Sequence, residues 1–143
     1  MPNVTILQGD AITFREDRCN EAVTPGHLLE FNANDRLQRH ASSGGAAARM
    51  FAVESGFIGN DTRTAYVSGD RVPYADCAPG VIVWAHLASG QNVARGAFLQ
   101  SDGAGRLTAQ TGTNVRVANA DEDANATVAG TGVNGIRFRA RVV

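Results

Sequence analysis

Short apolar runs alternate with turn-forming residues along most of the chain, and helical periodicity is almost absent. Glycine, proline, asparagine or aspartate bounds each run, which is typical of strands joined by tight turns. The predicted strands include VTIL (4–7), AITF (11–14), RVPY (71–74), VIVWAHLA (81–88) and VRVANA (115–120), with residues 126–129 as a further candidate. The run 81–88 is the most apolar and is predicted to be central, whereas Pro73 predicts an edge position for 71–74.

The segment IRFRARVV (136–143) alternates strictly between apolar and basic or small residues. Alternation with a period of two predicts a half-buried strand, because successive side chains of a strand point to opposite faces. The apolar face would hold Ile136, Phe138, Ala140 and Val142, and the cationic outer face Arg137, Arg139 and Arg141.

Only the segment GGAAARMFAVES (44–55) leaves helix and strand both open. Its alanines favour a helix, but the portion MFAVE fits a strand equally well. Since about ten or more short strands are predicted with little helix, the chain is expected to fold as a compact all-β barrel or sandwich.

A similar skeleton occurs twice, as GHLLEFNANDRL from Gly26 and as GAFLQSDGAGRL from Gly96. Each copy reads as a strand, a polar turn and a returning strand, which predicts two β-hairpins. A two-stranded hairpin cannot bury its own apolar face. We therefore expect the two hairpins to pack face to face or to occupy equivalent places around a barrel; chance similarity is the alternative.

The 143 residues fit one domain, 1–143, in which residues 1–10 are a candidate N-terminal arm. The formal net charge of −1 argues against nucleic acid as a partner, since phosphate binding needs a basic excess. Neither a signal peptide nor an apolar run long enough for a membrane span is recognised, so a soluble protein made in a reducing cytosol is expected. Cys19 and Cys77 are then predicted to be free thiols. The acidic triplet Asp121–Asp123 is predicted to be a solvated loop.

The sequence offers few residues that could carry out catalysis or bind a metal. Antiparallel pairing in the first hairpin would place His27 and His40 opposite each other, and without a third ligand they are predicted to be surface or half-buried histidines rather than a metal site. His86 shares a strand face with Trp84 and is predicted to be structural. Trp84 and Phe98 are expected in the core. Because no nucleophile elbow, zinc motif or phosphate loop is recognised, we expect neither catalysis nor a metal or other cofactor.

The run YVSGDRVPYADCAPGVIVWAHLASGQNVARGAFLQSDGAGRL (66–107) resembles the capsid decoration, or cement, proteins of tailed bacteriophages. In that family an aromatic-x-x-Gly-Asp-x-Val-x-aromatic segment precedes an apolar strand and a Gly-rich hairpin. The matching positions are Tyr66, Gly69, Asp70, Val72, Tyr74, Leu87, Ala88, Val93, Gly96, Leu99 and Leu107. The segments 24–31, 44–55 and 136–143 also resemble the family, so the likeness extends over nearly the whole chain.

The resemblance implies a β-rich, barrel-like β-tulip domain with no active site and no cofactor. It implies a virion protein, assembled in the host cytoplasm, that binds the outer surface of an icosahedral head. The implied partners are the major capsid protein and two further copies of the chain, in homotrimers at three-fold and quasi-three-fold positions that stabilise neighbouring capsomers. Nucleic acid and membrane are not implied partners.

Two surfaces are the candidates for contact with the capsid or a neighbouring subunit. The first is the β-prone N-terminal segment, which could add as a strand to a sheet edge of the capsid; its residues are Asn3, Val4, Thr5, Ile6 and Leu7. An ordinary first strand of this domain is the alternative. The second is the cationic face formed by Arg137, Arg139 and Arg141, since arginine suits ion pairs across an interface; a solvated outer face is its alternative.

Two rival functions remain open at the level of sequence. A carbohydrate-binding β-domain of a phage tail or fibre would be expected to expose aromatic platforms, and the nine aromatic residues lie mostly in apolar runs. A small hydrolase with an unrecognised site is the other rival.

Overall fold

The computed structural model describes residues 4–55, 59–127 and 135–143, and these form thirteen strands with no helix among them. The all-β prediction is thereby confirmed. No helix in the described ranges has the length and apolar character needed to cross a bilayer. The strands are β1 Ile6–Gln8, β2 Ile12–Arg18, β3 Leu29–Phe31, β4 Leu37–Arg39, β5 Met50–Ala52, β6 Arg71–Cys77, β7 Ile82–Leu87, β8 Asn92–Val93, β9 Phe98–Ser101, β10 Leu107–Ala109, β11 Ala118–Ala120, β12 Ala124–Asn125 and β13 Ile136–Val142.

Five strands close into a barrel in the order β7, β10, β9, β11 and β13, because β13 also pairs with β7. The closing pair is antiparallel and runs from Ile136 opposite Leu87 to Arg141 opposite Ile82. Strands β1 and β10 pair with the same edge of β7, at different positions along it. The prediction of a central strand at 81–88 is therefore confirmed.

Strict alternation places alternate residues of β13 in the barrel core. Phe138, Ala140 and Val142 are buried, as predicted, while the arginines between them face outward. Strand β7 has no such alternation because both of its faces are covered: one lies against the barrel core, and on the other His86 lies against the turn at residues 25–26. The barrel core also includes Val83, Ala85, Leu87, Leu99, Leu107, Val117 and Ala118.

A second, smaller core lies beneath a three-stranded sheet of order β2, β6, β5 and the hairpin β3–β4. Its buried residues are Cys19, Val23, Leu29, Leu37, Met50, Ala52, Tyr66, Val72 and Tyr74. Within 44–55 the helix alternative is wrong: Met50–Ala52 is β5, and the residues before it are not helical. The strand expected at 126–129 is wrong at its first two positions, because β12 is Ala124–Asn125 and ends before Ala126; Val128 and Ala129 lie outside the described residues.

The edge position expected from Pro73 is wrong, because β6 is the middle strand of its sheet. The register with β5 places Val53 opposite Pro73, and the Val53 N–H donates to the Pro73 carbonyl at 2.9 Å. Proline has no N–H to return to Val53. The Tyr66 hydroxyl donates to the Val53 carbonyl instead, at 2.8 Å, so the ladder tolerates proline at a central position.

The repeated skeleton corresponds to two hairpins with the same turn. Asn32 Oδ1 accepts from the N–H groups two and four residues later, at 2.9 and 3.0 Å, and Asp102 Oδ1 does the same at 2.7 and 3.1 Å. Asp35 and Gly105 occupy the same left-handed position, with φ of 59° and 77°. The repeat therefore specifies a turn, because Asn and Asp side chains at its start hydrogen-bond to the backbone that follows.

The packing expected for the two hairpins is wrong. Strands β9 and β10 belong to the barrel, whereas β3 and β4 form a sheet of their own. Gly105 in the second turn donates to the His40 carbonyl at 3.2 Å and accepts from the Leu28 N–H at 2.8 Å. The tip of one hairpin is thus hydrogen-bonded to the base of the other.

Candidate binding surfaces

The N-terminal segment is docked on this domain from Thr5 onward. Thr5 is fully buried, and its N–H and hydroxyl both donate to Glu54 Oε2, at 2.9 and 2.8 Å. Its carbonyl accepts from the Trp84 N–H at 2.7 Å, and Ile6 pairs with Val83. Segment 5–8 therefore serves as a first strand of the domain.

The same segment still offers an exposed surface. Val4 is 47% exposed, Ile6 and Leu7 are half-buried, and Asn3 lies outside the described residues. Among the described strands β1 has only β7 as a neighbour, which leaves its other edge open. Contact of residues 3–7 with a partner remains a prediction.

A groove with a volume of about 480 Å³ lies beside β1. Phe14 on the edge strand β2 is 63% exposed and forms one wall. The lining is apolar with two carboxylates, and consists of Val4, Ile6, Phe14, Val53 and Pro73 together with Glu16, Glu54 and Ser55. An exposed apolar surface of this kind is typical of a contact site for another protein.

Two of the β13 arginines face acidic residues of the same chain. Arg139 Nε lies 3.6 Å from Glu122 and 3.8 Å from Asp121, and Arg141 Nη2 lies 3.6 Å from Asp121. Arg95 approaches Asp121 from another side, at 3.9 Å. The acidic triplet is therefore not simply a solvated loop, because Asp121 is mostly covered and neutralises surrounding arginines. Such long, half-exposed ion pairs stabilise the fold by at most about 1 kcal/mol each.

Arg137 has a different environment from its two neighbours on that face. Its guanidinium is half-buried and donates to the Thr62 carbonyl, and burial lowers its pKa to about 10. Its Nη1 is buried and has no hydrogen-bond partner among the described residues. It lines a cavity of about 250 Å³ with His27 and His86.

The sequence did not predict that His27 and His86 would meet. Their ring centroids are 4.4 Å apart. The Thr24 N–H donates to His27 Nδ1 at 3.0 Å, and His86 Nε2 lies 3.0 Å from the Pro25 carbonyl. Burial lowers the pKa of His27 to about 2, helped by His86, and burial together with the Arg137 charge lowers that of His86 to about 4. Both imidazoles are therefore neutral at pH 7.

The expected pairing of His27 with His40 is wrong, because the hairpin register places Leu28 opposite His40. His40 is buried at the junction of the two hairpins, 2.7 Å from Ser101 Oγ and 2.9 Å from the Ala46 carbonyl. The turn Pro25-Gly26, not the hairpin, sends His27 toward β7. In the sequence, only His86 showed a sign of burial, because it lies within the apolar run 81–88.

The core position expected for Phe98 is also wrong, because 51% of Phe98 is exposed. The Arg116 guanidinium lies 4.3 Å from the centre of its ring, a cation–π contact on the barrel surface. Trp84 is only half-buried, and its indole Nε1 is buried without a hydrogen-bond partner among the described residues. Cys19 and Cys77 are buried and free, as predicted, and burial raises the pKa of both thiols, that of Cys77 to about 12.

Comparison with solved structures shows a likeness that spans almost the whole chain. No family model matches the sequence, and no curated protein matches it. The fold is similar to the crystal structure of the N base of the head fibre protein gp8.5 of bacteriophage phi29, with a TM-score of 0.61. The match covers 92% of this chain and 94% of the phi29 chain at 12% sequence identity, and at that identity it demonstrates a shared fold.

Proposed function

We propose that this protein is a structural component of a phage virion that binds the outer surface of the icosahedral head. The observation that supports this most is the shared fold with the N base of a phage head fibre, which extends over nearly the full length of both chains. The sequence resemblance of 66–107 to capsid decoration proteins supports the same proposal independently. On this proposal the chain is a cement protein rather than an enzyme.

The proposed partner is the major capsid protein, which the chain would hold across the boundary between capsomers. The groove beside β1 offers an apolar contact surface, and the exposed Val4 and the open edge of β1 lie next to it. Arg139 and Arg141 would add charged contacts, because their guanidinium groups are about half exposed. Arg137 is more deeply placed and less available to a large partner.

A homotrimer is part of the proposal because many weak contacts can add up on a lattice. A trimer that engages several equivalent sites at once converts each later contact into an intramolecular step at high effective concentration. Weak individual contacts at β1 and β13 would then be enough to hold the trimer on the head. Light scattering of the purified protein, free and after release from heads, tests this state; a monomer in both samples would contradict it.

The deciding experiment is binding of the purified full chain to heads of the phage that encodes it, prepared with this gene deleted. We expect saturable co-sedimentation with heads, weakened by Val4→Asn and by the double change Arg139→Gln and Arg141→Gln. Val67→Asn is the matched control, since Val67 is exposed by 62% and lies outside the groove. Absence of saturable binding would overturn the proposal, and binding to a glycan array instead would favour a carbohydrate-binding domain.

A further inference from the structure

The cavity beside the two stacked histidines lies outside the surfaces used in the proposed function. It is bounded by the turn at residues 24–27, by β7 and by the start of β13, and encloses about 250 Å³. The residues that line it include Thr24, His27, Arg63, His86, Ile136 and Arg137. It is large enough for a small ligand and too small for a peptide segment.

Side chains of His27 and Arg137 bring hydrogen-bond donors to this cavity. His27 is 94% buried, and because its Nδ1 accepts from the Thr24 N–H, its proton is on Nε2. The buried Nη1 of Arg137 has no hydrogen-bond partner among the described residues. A buried donor left without an acceptor costs about 1–3 kcal/mol, so Arg137 favours a ligand that accepts hydrogen bonds.

Charged groups of both signs lie around the cavity. Arg137 and Arg63 contribute two guanidinium groups, and Asp61 is paired with Arg63 at 3.0 Å. The Arg63 side chain is largely exposed and stands at the mouth, whereas Arg137 is deeper. The Glu54 carboxylate also acts on Arg137, so an anion would be held mainly by the unpartnered donor of Arg137, in a partly desolvated place where charge-assisted hydrogen bonds are strong.

The backbone allows these groups to converge because residue 26 is glycine. A Cβ at Gly26 would lie 3.1 Å from Arg137 Nη1 and 3.3 Å from His86 Cδ2, and 2.5 Å from the Trp84 carbonyl. The positive φ of 94° also disfavours a side chain. The guanidinium and the imidazole pair are thus brought to the same side of a turn that has no room for a side chain.

We infer that this cavity is a binding site for a small oxyanion, either a carboxylate or a phosphate. The planar guanidinium of Arg137 would donate to the oxygens from Nη1, and His27 would donate from Nε2. Carboxylate and phosphate share this chemistry. The inference is independent of head binding, because it concerns a small ligand of the isolated chain.

The test is an NMR titration of the full chain with inorganic phosphate and, separately, with acetate, at constant ionic strength and about pH 7.5, where free histidine is neutral. We expect saturable shifts of the imidazole signals of His27 and His86. His40 is the internal reference, since it is buried at another place against Ser101 and Ala46. Response to phosphate alone, or to acetate alone, identifies which oxyanion the site takes.

Variants then test whether the chemical-shift response arises from binding in the cavity. Arg137→Gln should weaken binding at least about tenfold, since it removes a charged donor to the ligand. Arg63→Gln should weaken it several-fold, and it keeps the test valid if Arg137→Gln does not fold. Arg15→Gln removes the same charge from the exposed strand β2 and is the matched control.

Three results would overturn the inference. They are the absence of a saturable shift with either anion, an equal shift at His40, and an equal loss of affinity in Arg15→Gln and Arg63→Gln. Each can occur whether or not the chain binds heads, so failure of this site is distinguishable from failure of the proposed function.

Discussion

Tyr66 stabilises the sheet at Pro73 through a single hydrogen bond. Its hydroxyl donates to a carbonyl that would pair with an N–H at position 73 if that residue were not proline. Burial raises the pKa of Tyr66 to about 12, helped by Glu54 and Asp70, so the hydroxyl remains a donor at any physiological pH.

Tyr66→Phe should therefore destabilise the protein by about 1–3 kcal/mol, because the Val53 carbonyl loses its donor in a buried place. Urea unfolding followed by tryptophan fluorescence measures the change. Tyr74→Phe is the matched control, since Tyr74 is equally buried and no hydrogen bond of its hydroxyl is found in the described ranges. Equal losses in the two variants would contradict the role of Tyr66; partial recovery on adding Pro73→Ala would support it.

The buried histidine pair makes stability depend on pH. Both pKa values in the folded state lie below the ordinary value of 6.5, so the unfolded chain binds more protons than the folded one. Stability from these groups is complete above about pH 6.5 and is lost as the pH falls toward 4, where His86 titrates, and further toward 2 for His27.

We expect the free energy of unfolding to fall by about 1–3 kcal/mol between pH 6.5 and 4 through His86. His86→Gln should reduce this slope, because the amide can still donate to the Pro25 carbonyl but does not titrate. Urea unfolding at several pH values measures it. An unchanged slope in the variant would show that the acid sensitivity originates elsewhere.

At the scale of elements, the two hairpins show how one turn tolerates different residues. Asp35 and Gly105 share the left-handed position, but only Gly105 is pressed against another part of the molecule. A Cβ at Gly105 would lie 2.9 Å from the Cβ of Arg39 and 3.2 Å from the Leu28 carbonyl. The glycine is therefore required by the contact between the hairpins more than by the turn.

Gly105→Ala should destabilise the protein by more than about 1 kcal/mol, since it adds both backbone strain and a collision. Asp35→Ala is the matched control at the same turn position, where a Cβ is already accommodated, and should cost less than about 1 kcal/mol. Thermal unfolding compares them. Equal costs would mean that the left-handed backbone alone explains the glycine.

Strands and turns were predictable because they depend on local pattern. Alternation in 136–143 predicted which residues of β13 are buried, and the polar turns of the two hairpins were predicted from their own residues. Positions that depend on distant partners were not predictable. Pro73 reads as an edge residue until Tyr66 is seen beside it, and Phe98 reads as core until the barrel places it outside.

The candidate surfaces were predictable to a similar extent. The cationic face of β13 was found by its period, but its acidic partners and the separate environment of Arg137 depend on loops far away in sequence. The contact of His27 with His86 joins a turn to a barrel strand, and no spacing between the two histidines encodes it.

At the scale of the whole molecule, the barrel holds the larger of the two hydrophobic cores. Phe138 is fully buried on β13, the strand that closes the barrel against β7. Phe138→Ala should cost about 3–5 kcal/mol, through lost burial and the cavity left behind. Phe98→Ala is the matched control and should cost less than about 1 kcal/mol, because half of that side chain is in water. Urea unfolding compares the two, and similar costs would contradict the barrel closure described.

The pairing of β7 with β13 also governs how fast the protein can fold. The two strands that complete the ring are far apart along the chain. The segment between them must therefore lose conformational entropy before the strand contacts form and compensate that loss. Refolding from urea should therefore take on the order of milliseconds to seconds. Until that step the edges of both strands are unpaired and available to other chains, so the yield of refolded protein should fall as its concentration rises.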